Sequence, residues 1–363
     1  MRKKVVVAMS GGVDSSVTAA FLKDRGYDVV GITMNLYSLP PHFCKAEKVP
    51  SCCGWGAAED AQHVASILNI PHYVADLRKP FEERVIDNFC REYARGRTPN
   101  PCIRCNQFIK FDLLLRKAEK LGADFVATGH HARVEFDHSR GKYLLKKGKD
   151  SAKDQSYFLY PLSQEKLARI LMPVGDYTKK QVREIAGEKS LPVAHRPESQ
   201  EICFVPDRDY SRFLKGRIPD AFRPGPILDE KKNVLGKHKG IAHFTVGQRR
   251  GIGISAPHPL FVLSIEEKEN SIVVGTDDRL YKKTLVASDV VFISGEVPAR
   301  PLEVTAKIRY LHRGARAHLI PLNSDSFLVE FDEPQRAITP GQAVVFYDDD
   351  VVLGGGTIEK LVS

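Results

Sequence analysis

The chain has 363 residues, 42% apolar and 27% charged, which at about 150 residues per domain gives two or three packed domains and excludes wholesale disorder. Its 54 Lys and Arg against 45 Asp and Glu leave a formal charge of +9, a modest excess that favours a polyanionic partner without requiring one. No apolar run approaches the roughly 18 residues of a membrane span, and Val5 to Met9 is shorter than the roughly 7–15 residues of a signal-peptide core, so a cytoplasmic protein without a membrane partner is expected.

The first 130 residues alternate strand and helix. Lys4–Met9 is a short β-branched run that reads as a buried strand. Val13–Arg25, apolar at 13, 17, 20 and 21 and stopped by Gly26, reads as a helix. Strands over 28–34, 71–77 and 124–128 and helices over 57–68, 81–95 and 108–121 continue the pattern. Strands separated by helices imply right-handed crossovers and an α/β, doubly wound parallel sheet. A further helix over 178–189 starts with a capping box, Thr178 and Gln181. Beyond Pro219, turn signals separate short β-rich runs, and the last of them, from Val286 to Tyr347, read as a small β-barrel. The expected division is 1–212, 213–280 and 281–363.

Between the first strand and the first helix stands Ala8-Met9-Ser10-Gly11-Gly12-Val13-Asp14-Ser15-Ser16. Paired glycines let the backbone take positive φ and come close to a phosphate. The amides of Gly11 to Ser15 then form an anion nest at a helix N-terminus, where the dipole favours negative charge. Ser10 and Ser15 add hydroxyls, and Asp14 is expected to cap amides or help hold Mg²⁺. A bare Gly-Gly here is often only a tight turn; Ser before it and Asp-Ser after it argue for phosphate. The chain has neither G-x-x-x-x-G-K-[ST] nor G-x-G-x-x-G. The turn resembles the PP-loop of ATP pyrophosphatases, which cleave ATP between the α- and β-phosphates and adenylate an oxygen of the acceptor. That resemblance implies ATP on Ala8–Ser15, with Met34 against the adenine.

Seven cysteines, Cys44, Cys52, Cys53, Cys90, Cys102, Cys105 and Cys203, are an odd number without a secretion signal, so reactive or metal-binding thiols are a better expectation than a disulfide framework. Cys102 and Cys105 form a C-x-x-C in what reads as a proline-stiffened loop before a helix, where Arg104, Lys110 and the helix start favour thiolate. A redox and a metal role both remain open for it, although no second C-x-x-C completes a four-cysteine zinc site. Cys203 follows in Glu198-Ser-Gln-Glu-Ile-Cys203-Phe. Cys90, on an apolar helix face with Val85 and Phe89, is most simply core, and Cys44, Cys52 and Cys53 lie in a loop, where loosely packed thiols are a simpler reading than a metal site.

The phosphate turn, P-N-P-x-x-x-C-N-x-x-I-K-F from Pro99, Thr128-Gly129-His130-His131-Ala132-Arg133, Lys153-Asp154-Gln155-Ser156-Tyr157, S-Q-E-I-C-F, the run His243 to Gly251 and the run Pro340 to Phe346 recur in this order. Together they resemble the bacterial tRNA-specific 2-thiouridylases over essentially the whole length. The resemblance implies thiolation of the wobble uridine of tRNA. ATP adenylates the uracil 2-oxygen, a Cys203 persulfide supplies sulfur, and Cys105 attacks the sulfur chain or closes a disulfide with Cys203. The sulfur comes from a persulfide donor, a cysteine desulfurase or relay protein. By position, Gly129 joins the ATP site and Asn100, Pro101 and Cys102 surround the target base. His130, Lys153, Asp154, Gln155, Arg309, Tyr310 and Gln342 touch tRNA. Much of the family has Asp at the position of Cys102, so that role does not transfer. Cys102, Cys105 and Cys203 could instead hold a four-iron, four-sulfur cluster with one open iron. A PP-loop ligase acting on another acceptor, and a non-catalytic nucleotide- or RNA-binding module, are the other readings.

Basic residues cluster at Lys142–Lys153, at Lys237, Lys239, Arg249 and Arg250, and at Arg309, Arg313 and Arg316. Such clusters position a phosphate backbone without reading sequence, and Tyr310 could stack an extruded base. Because the target uracil must leave its stack, the loop 96–107 is expected to be mobile.

Overall fold

The computed structural model describes residues 2–38, 55–196, 202–205, 207 and 209–362. Its first sheet is parallel throughout, ordered β3-β2-β1-β4-β7. The strands are β1 (Lys4–Ala8), β2 (Asp28–Asn35), β3 (His72–Asp76), β4 (Phe125–Ala127) and, after a hairpin of β5 (Ala132–Asp137) and β6 (Lys142–Lys147), the short β7 (Ile170–Leu171). β1 is buried on both faces: Val5, Val7 and Met9 enter one core, Val6 and Ala8 the other. That follows from the two-residue period of a strand and accounts for its unbroken apolar run.

Helices α1 (Val13–Asp24) and α2 (Trp55–Ile67) follow β1 and β2. Residues 78–94 run helically through α3 (Arg78–Phe81), a π turn Glu82–Ile86 and α4 (Asp87–Ala94). Residues 101–120 do the same through α5 (Pro101–Cys105), a π segment Asn106–Leu113 and α6 (Leu114–Lys120). α7 (Gln164–Leu167) precedes β7; α8 (Lys179–Glu188) starts on the capping box that Thr178 and Gln181 form; α9 (Tyr210–Lys215) ends this part. The strand order reverses at β1, which pairs with β2 on one side and β4 on the other. A crevice therefore opens beyond the carboxyl ends of β1 and β4, the place where open α/β sheets bind ligands.

A second sheet, ordered β10-β11-β8-β9, comprises β8 (Gly225–Leu228), β9 (Val234–His238), β10 (Phe261–Glu266) and β11 (Ser271–Gly275) around Ile227, Val262, Ile272 and Val274. The last part is a closed barrel of six strands: β12 (Tyr281–Phe292), β13 (Leu302–Lys307), β14 (Ala315–Pro321), β15 (Phe327–Arg336), β16 (Ala343–Asp348) and β17 (Val351–Val362), with β12 pairing to both β15 and β17. The β5–β6 hairpin adds to this sheet through Lys146 opposite Val351, and Lys147 N–H donates to the Asp350 carbonyl at 2.8 Å. Among the described residues, no helix is long and apolar enough to cross a membrane.

Candidate active site

The turn after β1 sits at the crevice. Gly11 takes φ +66, and a Cβ there would lie 2.6 Å from the Ala57 carbonyl oxygen at the start of α2. Gly12, expected to share that conformation, is instead extended (φ −95, ψ 162) as the N-cap of α1 and has no side-chain cap. The turn is braced from within. Ser15 Oγ accepts from Ser10 N–H at 3.2 Å and donates to the Gly12 carbonyl at 3.1 Å, and Ser16 Oγ donates to the same carbonyl at 2.9 Å. The first N–H groups of α1 have no acceptor within the helix, so they and the dipole offer an anion site. Met9 and Val13 are core side chains, so any phosphate contact there belongs to their backbone. Met34 is buried near the end of β2, in the same cluster as Ala8.

Asp14 does not cap the turn, a correction to that expectation. Its two carboxylate oxygens take hydrogen bonds from Lys179 Nζ at 2.8 and 2.6 Å, and His131 Nε2 lies 3.1 Å from one of them. Burial pushes this carboxyl up, but the His131 hydrogen bond and the Lys179 charge outweigh it and hold the group below its ordinary 3.8. A depressed carboxyl contributes stability above pH 3.8 that disappears as pH falls through its folded value. Asp14→Asn removes the counter-charge of a buried ammonium, at an expected cost of about 1–3 kcal/mol. In urea melts from pH 6 to 3, the variant should start less stable and converge on the parent below 3.8. A constant gap between the two over that range would refute the pair's contribution.

The loop after β4 closes against this turn. A Cβ on Gly129 would lie 2.6 Å from the Asp14 carbonyl carbon and from the Ser15 nitrogen, so only glycine lets β4 approach α1 this closely. His130 is buried: Thr128 Oγ1 lies 2.8 Å from its Nδ1, and its ring packs on Phe111 at 5.8 Å. Burial first, then the Lys110 and His131 charges, holds its imidazole well below 6.5, hence neutral. Gln155 clamps His131, accepting from its N–H and donating to its carbonyl, both at 2.9 Å. Asp154 is buried and accepts from the N–H groups of Gly148 and Ser156 and from the Ser156 hydroxyl. His130 and Asp154, expected on a tRNA-contacting surface, thus face the interior, because each has hydrogen-bond partners that burial satisfies. Lys153 is half-buried beside them.

The C-x-x-C is not in a loop. Asn100 caps α5, its Oδ1 accepting from Cys102 N–H at 3.2 Å, and Pro101 fills the first helical position. This start has the sequence signature of a helix N-terminus, Asn before Pro. Cys102 and Cys105, three apart, lie on one side of the helix; Cys102 is exposed and Cys105 buried. Cys105 belongs to the apolar cluster that holds Ala8, Met34, Phe204 and Val205, and Cys203 packs against that cluster. Cys90, in the same core, has its thiol pushed up to about 11 by burial, which Arg217 only partly opposes. Among the described residues, no three His, Cys, Asp or Glu side chains converge as metal ligands. Cys102, Cys105 and Cys203 as placed therefore do not fit an iron–sulfur cluster. Cys44, Cys52 and Cys53 lie outside the described residues.

The segment before α5 is tied to both other parts of the chain. Thr98 N–H donates to the Pro340 carbonyl at 2.9 Å, its carbonyl accepts from Gln342 Nε2 at 2.8 Å, and its hydroxyl meets Thr245 Oγ1 at 3.1 Å. Arg97 is buried between Glu92, at 2.8 Å, and Glu359, also at 2.8 Å. Gln342, expected on tRNA, spends its amide on this junction. Arg309 is exposed on the barrel and donates to the Arg336 carbonyl at 3.1 Å, while Tyr310 packs on Phe158 at 4.6 Å. Lys179, Arg183, Arg196 and Arg97 escape sequence reading, since an isolated cation carries no local pattern. Among the described residues, the buried Asn106 Oδ1 and His131 Nδ1 are left without a hydrogen-bond partner.

Three family models cover the chain: one described as tRNA methyl transferase HUP domain over residues 3–207, a tRNA methyl transferase PRC-barrel domain over 211–276, and an aminomethyltransferase beta-barrel domain over 282–358. The chain is 50% identical over 361 residues to the tRNA-specific 2-thiouridylase MnmA 2 of Thermoanaerobacter sp. (strain X514), covering 99% of both chains. It is 51% identical to the tRNA-specific 2-thiouridylase MnmA of Carboxydothermus hydrogenoformans, over 99% of this chain and 98% of that one. It belongs to the tRNA-specific 2-thiouridylase family. The domain models are described by methyl transfer and the full-length relatives by thiolation.

Proposed function

We propose that this protein is an ATP-dependent tRNA-uridine 2-sulfurtransferase that thiolates the wobble uridine of tRNA. The observation that carries the reading is that Cys105 belongs to, and Cys203 packs against, one apolar cluster that also holds Ala8 and Met34 beside the phosphate turn. Sulfur transfer uses such a pair directly, one thiol to carry sulfur and a second to resolve it.

The uracil O2 attacks the α-phosphorus of ATP and pyrophosphate leaves, so that a poor leaving group becomes AMP. The terminal sulfur of a Cys203 persulfide then adds to C2 and AMP departs with the C–O bond electrons. The Cys105 thiolate attacks Cys203 Sγ, the S–S bond to the base breaks, and the 2-thiouracil sulfur leaves with that electron pair. A Cys105–Cys203 disulfide remains, which a dithiol reductant returns to two thiols before the next persulfide is loaded. The turn of Gly11 and the α1 N-terminus would hold the phosphates, as substrate ATP with the Mg²⁺ it brings, and the unpartnered Asn106 Oδ1, next to Cys105 in the chain, offers an acceptor to the base. Arg309 and the basic barrel face would position the tRNA backbone.

The test is the full chain with ATP, unmodified tRNA and a protein persulfide donor, with pyrophosphate, AMP and 2-thiouridine measured together. One pyrophosphate and one AMP per thiolated uridine are expected, and pyrophosphate release should depend on tRNA. Methylated nucleoside, or no tRNA dependence, would sink the reading.

A further inference from the structure

The phosphate turn is gripped from outside by an arginine with no role so far. Arg196 Nη1 donates to the Gly11 carbonyl at 3.0 Å, and the guanidinium also pairs with Asp60 of α2. Arg183 of α8 holds the Arg196 backbone in place, donating to the carbonyls of Ala194 at 2.7 Å and of Arg196 at 3.1 Å. α8 also carries Lys179, which grips Asp14 in the first turn of α1. The turn is therefore bracketed by α8 directly and by the segment that α8 secures.

The peptide unit between Gly11 and Gly12 is trans and planar, so its carbonyl and its N–H point in opposite directions. Between two glycines such a peptide can rotate at little cost, because each residue occupies either sign of φ readily. The Arg196 hydrogen bond picks one orientation: with the carbonyl directed at the guanidinium, the Gly12 N–H is directed away from it, towards the side on which the helix N-terminus offers its own N–H groups. A charged donor makes this a stronger contact than a neutral one.

We propose that Arg196 is a positioning residue for nucleotide phosphates, acting through the Gly11–Gly12 peptide rather than by touching the ligand. The proposal rests on the ATP reading above. It also links the phosphate turn to the chain segment that leads on to Cys203.

The test is calorimetric binding of ATP and, separately, of adenosine to the full chain without tRNA or sulfur donor. Arg196→Ala is expected to weaken ATP at least tenfold and to leave adenosine within twofold, since only the phosphates depend on the peptide's orientation. Arg196→Gln, which keeps an N–H donor for the Gly11 carbonyl, should recover most of the ATP affinity. If Arg196→Ala does not fold, Arg196→Gln against Arg196→Met makes the same comparison. ATP binding within twofold of the parent in the donor-less variant would overturn the proposal alone, as would equal weakening of ATP and adenosine. A parent chain that binds no ATP would overturn the functional reading and this proposal with it.

Discussion

Cys203→Ser is expected to leave tRNA-dependent pyrophosphate release within about threefold of the parent and to reduce 2-thiouridine formation by at least about 10³-fold, the scale of losing a covalent nucleophile. Adenylation of the uracil uses the phosphate turn and the base, neither of which involves the Cys203 side chain. Sulfur delivery needs a polarisable atom that can hold and release a sulfane sulfur, which a hydroxyl does not do at neutral pH. The matching control is Cys90→Ser: that thiol is buried in the same core and pushed up to about 11, so it is almost wholly protonated and should contribute nothing to transfer. Thiolation retained in Cys203→Ser would refute the sulfur route. Loss of pyrophosphate release along with it would mean that Cys203 acts on adenylation or on the fold.

Gly129→Ala should have the second large effect. The methyl would stand 2.6 Å from two backbone atoms of the α1 first turn and 2.8 Å from Asp14 Cβ. Rotamer changes cannot relieve a clash with backbone, so β4 and α1 must separate, and overpacking of this kind costs about 1–3 kcal/mol or more. That movement shifts the N–H groups which face the phosphates and stretches the Asp14–His131 contact. The expected readout is a loss of ATP affinity of at least about tenfold, since each 1.4 kcal/mol is tenfold, together with a lower urea midpoint. Unchanged ATP affinity would show that Gly129 packs against the turn without shaping it. Gly122, whose added Cβ meets nothing within 4 Å, offers the comparison site; its φ of +67 makes alanine there a test of backbone strain alone.

Local patterns marked the elements whose causes are local. The β-branched run of β1 and the Thr178 capping box each owe their shape to residues within a few positions. β17 lies beyond the β-rich runs that end at Tyr347, and its cause is not local. A Cβ on its Gly354, Gly355 and Gly356 would lie 2.1, 2.6 and 2.7 Å from the carbonyl oxygens of Val291, Val344 and Ser288; the strand needs glycines because neighbouring strands press on it. The C-x-x-C was read as a loop because two prolines flank Asn100, although Asn-Pro is also how a helix begins.

What the sequence determined by itself is the alternation that yields a parallel sheet, a phosphate turn at the end of its first strand and two reactive-looking cysteine segments. Only the tertiary structure decided which cation answers Asp14, what holds the Gly11 peptide and where Gln342 spends its amide. Those partners are 165, 185 and 244 residues apart. Periodicity and capping act over one or two turns of chain, whereas a hydrogen bond between distant segments exists only once the sheet, α8 and the barrel have packed and set its distance.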